Sequence, residues 1–211
     1  MCTRFFIGSC EELLPYIEAV GRSPLFGHIS AACGRAMPLL GEICPTDAAA
    51  VIATDRNRRR GVFPMIWGFS VGSLSAPVVN ARTETAAEKP TFRESWLCRR
   101  CVIPASHYFE WEHYKTPRGK TKTGDKYAIK PKGAPVTYLA GLYRFERRNG
   151  FSLPVFTVLT REPTTELAAI HDRMPLMLPE SAVDEWISPE GKPEELVRLA
   201  LCDIELEKAD A

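Results

Sequence analysis

The chain has 211 residues, 45% hydrophobic and 25% charged, which excludes collagen-like, low-complexity and largely disordered chains. No run of about 18 apolar residues occurs, so no membrane-spanning helix and no membrane partner is expected. Net charge is +1, but residues 180–211 hold ten acids and three bases, which leaves +8 on residues 1–179 and admits an anionic partner.

Taken in chain order, Met1 to Ile7 lacks the long apolar core of a signal peptide, so a cytosolic protein is expected. Cys10 to Val20 reads as a short amphipathic helix limited by Pro15. Residues 21–48, rich in Gly, Pro and Ala, read as irregular. Ala50–Thr54 and Val62–Phe69 read as strands joined by the basic turn 55–60, and Val78–Arg82 as a further short strand. Thr83–Glu88 and Phe92–Leu97 read as helices split by Pro90. Strands are predicted at Cys101–Pro104, His107–Glu112 and Lys126–Lys130, with an exposed basic loop from residue 115. Thr137–Phe145 and Leu153–Thr160 are the strongest strands, joined at Arg147–Gly150. A helix over Pro163–Ile170, a brief strand at Leu176–Leu178 and acidic helices over Glu180–Ile187 and Pro193–Leu201 complete the chain. Hairpin-length strands without βαβ alternation predict one compact α+β domain over 1–211. Its sheet is expected to be antiparallel, curled and barrel-like, with short helices flanking it.

Seven irregularly spaced cysteines do not form an even disulfide framework, so reduced thiols are expected. Cys98-Arg-Arg-Cys101 is a lone C-x-x-C without a second ligand pair. No metal and no cofactor is expected, and no phosphate loop, G-x-S-x-G or dinucleotide fingerprint occurs.

Cys2 becomes an N-terminal aminothiol if Met1 is removed. An α-amine with a pKa of about 7.7–8 is partly free base at neutral pH and attacks aldehydes, unlike a lysine amine. The adjacent thiol can then close a thiazolidine ring. Asn80-Ala-Arg82 places a hydrogen-bonding amide and a cation on one face of an extended segment. In the Phe109-Glu110-Trp111 strand, Glu110 faces away from the two aromatics, and desolvation there suits general acid–base work. His171 titrates near neutral pH, and Pro175 argues for an extended segment in which Arg173 shares its face. Each feature alone is as readily, and for most of them more readily, a structural one. Together, Cys2/Arg4, Asn80/Arg82 and His171/Arg173 pair a reactive or polar group with an arginine two residues on. That pattern suits a substrate with phosphates on both sides, such as a nucleic acid strand.

These motifs resemble the SRAP family of SOS response-associated peptidases, also called abasic-site processing proteins. The likeness runs through Met1-Cys2-x-Arg4, Gly41-Glu-Ile-Cys-Pro45-Thr-Asp47, Trp67-Gly-Phe69, Asn80-Ala-Arg82-x-Glu84-Thr85, Phe109-Glu110-Trp111, Ala140-Gly-Leu-Tyr143 and Ile170-His171-Asp-Arg173-Met-Pro175. The resemblance implies covalent capture of abasic sites in single-stranded DNA, with lyase-like and peptidase activities; a monomer is expected. It implies Cys2 as nucleophile, with Asn80, Glu110 and His171 completing the catalytic set. It places Arg4, Arg82, Arg173, Pro45 and Trp67 on the DNA. Thr3 stands where the family usually has glycine, and the 70–75 loop lacks a tryptophan many members carry. Two other readings remain open: a cysteine peptidase pairing Cys2 with His171, and a non-catalytic single-strand binder using Trp67 or Trp111.

Overall fold

The computed structural model describes residues 2–72, 74–115 and 119–209. Met1, Ser73 of the 70–75 loop and residues 116–118 of the basic loop lie outside the described residues. The elements in order are β1 (Arg4–Ile7), α1 (Leu14–Gly21), α2 (Pro24–Cys33), β2 (Gly41–Ile43), β3 (Ala48–Thr54), β4 (Arg60–Trp67), β5 (Asn80–Arg82), α3 (Thr83–Ala86) and α4 (Pro90–Cys98). They continue with β6 (Arg100–Ala105), β7 (His107–Lys115), β8 (Thr121–Pro131), β9 (Thr137–Arg148), β10 (Phe151–Arg161), β11 (Met174–Pro175), β12 (Met177–Leu178), α5 (Val183–Ile187), α6 (Pro193–Leu196) and β13 (Ile204–Ala209).

The α+β class holds. Strands β10, β4, β3, β6 and β9 follow one another, and β9 pairs back onto β10, which closes a five-stranded barrel. One feature departs from the expected antiparallel sheet. β10 runs parallel to both β4 and β5, because neither is joined to it by a hairpin that would fix its direction. The barrel closes through Gly141, which lies opposite Val158. A Cβ there would stand 2.8 Å from the Thr157 carbonyl oxygen and 2.9 Å from Ile103 Cδ1. Only a residue without a side chain lets these strands approach so closely.

The second sheet has the order β13-β8-β7-β1-β2. In β1, Phe5 and Ile7 are buried, and the Phe5 ring lies 5.0 Å from that of Trp67, joining the two sheets. Arg4 pairs with Phe109 and Phe5 with Tyr108, so the pairing draws the chain's start alongside β7. Among the peripheral elements, buried Arg100 donates to the carbonyls of Trp96, Leu97, Trp186, Ser188 and Gly191. This ties the end of α4 to the end of α5.

Four segments differ from the sequence reading. Residues 21–48 hold α2 and β2. Pro24 at the first helical turn, buried Ile29 and Ala32, and left-handed Gly34 at the end make the helix that Gly27, His28 and Ser30 disguise. The helix expected over Pro163–Ile170 is only a 3-10 turn at Leu167–Ala169, and the last acidic helix breaks into α6 and a 3-10 turn at Val197–Leu199. β13 went unread because Glu205, Glu207 and Lys208 mask a strand whose Ile204 is buried and whose Leu206 packs on the core. Gly141→Ala is expected to lower unfolding free energy by about 1–3 kcal/mol, as overpacking does. Urea denaturation monitored by tryptophan fluorescence checks it.

Candidate active site

Cys2 is fully buried at the mouth of the strand that follows it. Its thiol lies 3.8 Å from the Arg4 carbonyl oxygen. Burial, and then the charge of Glu110, push the thiol well above its ordinary pKa. The Asn80 amide donates from Nδ2 to the Cys2 carbonyl oxygen at 2.8 Å. It is placed there by β5, where Asn80 pairs with Val158 and Arg82 with Thr160 of β10. The strand alternates as expected: Ala81 is buried and Arg82 exposed. Among the described residues, Asn80 Oδ1 is buried and accepts no hydrogen bond, and the Tyr108 hydroxyl is buried and makes none. These are costly in a finished core and mark a polar recess.

Glu110 projects into this recess from β7 and is 2% exposed. His171 Nε2 lies 3.9 Å from Glu110 Oε1. The ring is oriented from its other side: the Arg173 backbone N–H donates to His171 Nδ1 at 3.0 Å, while Asp172 Oδ1 lies 2.9 Å from the same nitrogen. The two contacts serve opposite protonation states. A neutral ring accepts from Arg173 and carries its proton on Nε2, whereas an imidazolium donates from Nδ1 to Asp172. Desolvation holds the His171 pKa below its ordinary value, against the opposing charge of Glu110, so the neutral form prevails at pH 7. The segment is therefore a turn closed onto its own histidine rather than the extended run expected from Pro175.

His113, which the sequence analysis does not single out, has its ring 5.8 Å from that of His171. Strict alternation would put residues 110 and 113 on opposite faces. The ladder is interrupted between Trp111 and His113, where Gly124 and Asp125 of β8 face Glu112 alone. Such an extra residue increases local twist and re-aims side chains. Gly124 faces the Glu112 side chain there, whose flexible end, Oε2, would stand 2.5 Å from a Cβ.

The arginine rim is uneven. Arg82 is exposed and makes no ion pair among the described residues. Arg4 is half-exposed, paired with Glu42, 3.3 Å from Cys44 Sγ and over the Trp111 ring at 5.9 Å. Arg173 is turned inward and 8% exposed. It grips both Glu84 oxygens at 2.9 and 2.8 Å and donates to the Thr160 carbonyl at 2.7 Å. It is a clamp between the Asn80–Thr85 and Ile170–Pro175 motifs. Trp67 cannot stack on a base. It is fully buried, its Nε1 donates to the Val79 carbonyl at 2.9 Å, and Phe5 and Phe156 pack on it. Pro45 is half-buried on a turn held by Asp47, which accepts from Cys44 N at 2.9 Å and pairs with Arg35 at 2.7 Å. Thr46 in that turn has φ +76, a conformation costing roughly 1–3 kcal/mol, held by the Trp67 carbonyl and Arg35.

A sequence model described as SOS response associated peptidase (SRAP) matches residues 1–209. The chain belongs to this family. Among its relatives, the abasic site processing protein YoaM of Bacillus subtilis is 34% identical over 67% of this chain and 62% of its own length. YedK of Escherichia coli, also an abasic site processing protein, is 31% identical over 71% of this chain and 65% of its own length. The alignments thus leave about a third of these relatives uncovered. A solved protein from Bacteroides thetaiotaomicron shares the fold at TM-score 0.74 and 19% identity, over 99% of this chain and 92% of that one. One from Bordetella bronchiseptica does so at TM-score 0.71 and 18% identity, over the whole of both chains. Two SRAP motifs are explained by the single Glu84–Arg173 pair. The Trp67-Gly-Phe69 motif is explained by packing, since Gly68 has φ +118 and a Cβ on it would stand 2.6 Å from Pro77.

Arg173→Ala is expected to cost about 1.5–3 kcal/mol of stability, the worth of hydrogen bonds to a charged group. Arg82→Ala should leave stability unchanged; thermal melts of the two variants separate these roles. For His171, the unfolded chain takes up a proton near pH 6.5 before the folded chain does. Its contribution to stability is therefore present above about pH 6.5 and lost as pH falls toward the depressed folded pKa. Asp172→Asn removes an opposing charge and should lower that pKa further, which NMR titration of the imidazole protons reads directly.

Proposed function

We propose that this chain processes abasic sites in single-stranded DNA by capturing them covalently through Cys2 once Met1 is gone. The observation that carries this is the Asn80 hydrogen bond to the Cys2 carbonyl, which grips residue 2 by its backbone beside Glu110 and His171. A grip on the carbonyl leaves both the amine and the thiol of Cys2 to react. The naming of several relatives as abasic site processing proteins supports the same substrate.

In the proposed sequence, the closed sugar opens to its aldehyde as the Glu110 carboxylate takes the C1′ hydroxyl proton and His171, in its imidazolium form, gives a proton from Nε2 to the ring oxygen; Glu110 then returns its proton to His171, so both groups are restored. The free Cys2 amine then adds to C1′. Glu110 takes a proton from nitrogen and returns it to the departing hydroxyl, so water leaves and a Schiff base remains. The Cys2 thiol adds to the imine carbon, its proton passes to nitrogen, and a thiazolidine closes. A Schiff base left open would permit β-elimination and strand cleavage, so ring closure competes with a lyase outcome. Arg82, exposed at the end of β5, and half-exposed Arg4 are assigned to flanking phosphates.

The cysteine-peptidase alternative needs a low-pKa thiolate paired with an imidazolium. Here the thiol is pushed up and the imidazole is pushed down, which disfavours that pair. Peptidase chemistry fits better as removal of the chain's own Met1. Simple single-strand binding through Trp67 is disfavoured by its burial.

Protein with a verified Cys2 N-terminus, mixed with abasic single-stranded DNA, should give a heat-stable adduct whose mass equals the sum minus one water. Cys2→Ala should give none that survives heating; an equal yield of stable adduct from that variant overturns the proposal. His171→Ala should slow capture of the natural abasic site by about 10²–10⁴-fold, the usual contribution of one acid–base group. It should spare an aldehyde analogue that cannot form a ring, and equal slowing with both substrates removes the ring-opening role.

A further inference from the structure

We propose that Glu110, His113 and His171 form a binding site for a divalent metal ion of the zinc class, a site that the sequence reading, expecting no metal, did not foresee. One ligand atom from each residue lies within 4.8 Å of the others. Tetrahedral ligands at about 2.0–2.1 Å from zinc stand roughly 3.4 Å apart. The set is therefore close to closing, and His113, the exposed member, is the one with room to move.

The donor chemistry fits. Two imidazoles and a carboxylate suit zinc, and three protein ligands leave a fourth position for water. The outer contacts fit as well. Zinc-bound histidines almost always donate their second ring N–H to a carboxylate, carbonyl or water. Asp172 Oδ1 already lies 2.9 Å from His171 Nδ1. Metal on Nε2 would move the ring proton to Nδ1, where Asp172 accepts it and the contact with the Arg173 N–H is given up. His113 adjoins the irregular pairing opposite Glu112 in the β7–β8 ladder.

The binding itself is independent of the function proposed above, while its consequence rests on that reading. A metal here occupies the carboxylate and the imidazole nitrogen assigned to proton transfer. Capture of abasic DNA should therefore stop while metal is bound and resume on chelation.

The test uses full-length, reduced, metal-free protein. Zn²⁺ alone is titrated in competition with a chromogenic chelator, and Co²⁺ alone is followed by its visible bands. His113→Ala and His113→Asn should each bind one equivalent fewer than the parent at the chelator's affinity, whatever the seven thiols contribute to both. Asp172→Asn should weaken that equivalent about 10–100-fold. Adduct formation by the parent should be abolished by one Zn²⁺ beyond the thiol-bound equivalents, and the His113 variants should keep their activity at that level. Equal stoichiometry and affinity in parent and both His113 variants overturns the site. If the equivalents differ as expected but no chain forms an adduct even without metal, the site stands and the crosslinking proposal fails.

Discussion

The Glu84–Arg173 pair is the contact on which the site's geometry rests. Arg173 reaches from the 171–175 segment to the start of α3 and to the Thr160 carbonyl at the end of β10. Asn80 lies on the strand leading into α3, and His171 lies two residues before the arginine. One bidentate guanidinium therefore fixes the register between the group that holds Cys2 and the group that faces Glu110. A lysine could not replace it, because only the planar fork meets both carboxylate oxygens while donating to a carbonyl as well. The barrel supplies rigidity beneath this clamp, with the β9–β10 seam closing through Gly141.

Much of this was legible in the sequence. The long β-branched and aromatic runs of β9 and β10 announced the barrel strands, and strand alternation put Glu110 opposite its aromatic neighbours. Asn80 was legible because a short strand leaves its polar residues on one face. What the sequence hid has physical reasons. Trp67 read as a stacking residue, since a tryptophan in a Gly-containing motif looks exposed until its packing against Phe5 and Phe156 is known. Arg173 read as a phosphate ligand because a lone arginine does not reveal a carboxylate 89 positions away. His113 was not legible because strict alternation along β7 would turn it away from Glu110.

Burial sets the chemistry of the recess more than any single charge does. Desolvation is the largest influence on both Cys2 and His171, and it drives each toward its neutral form. A site of neutral groups around one buried carboxyl group suits a reaction that begins with a neutral amine and an uncharged sugar. It suits proton shuttling better than attack by a preformed anion.

The burial of Cys2 has a consequence for the lifetime of the protein under oxidants. Peroxide reacts with thiolates that solvent can reach, and climbs from sulfenic to irreversible acids from there. Cys2 offers neither exposure nor thiolate, whereas Cys98 and Cys202 lie at the surface. Peroxide therefore meets these two exposed thiols before it meets Cys2.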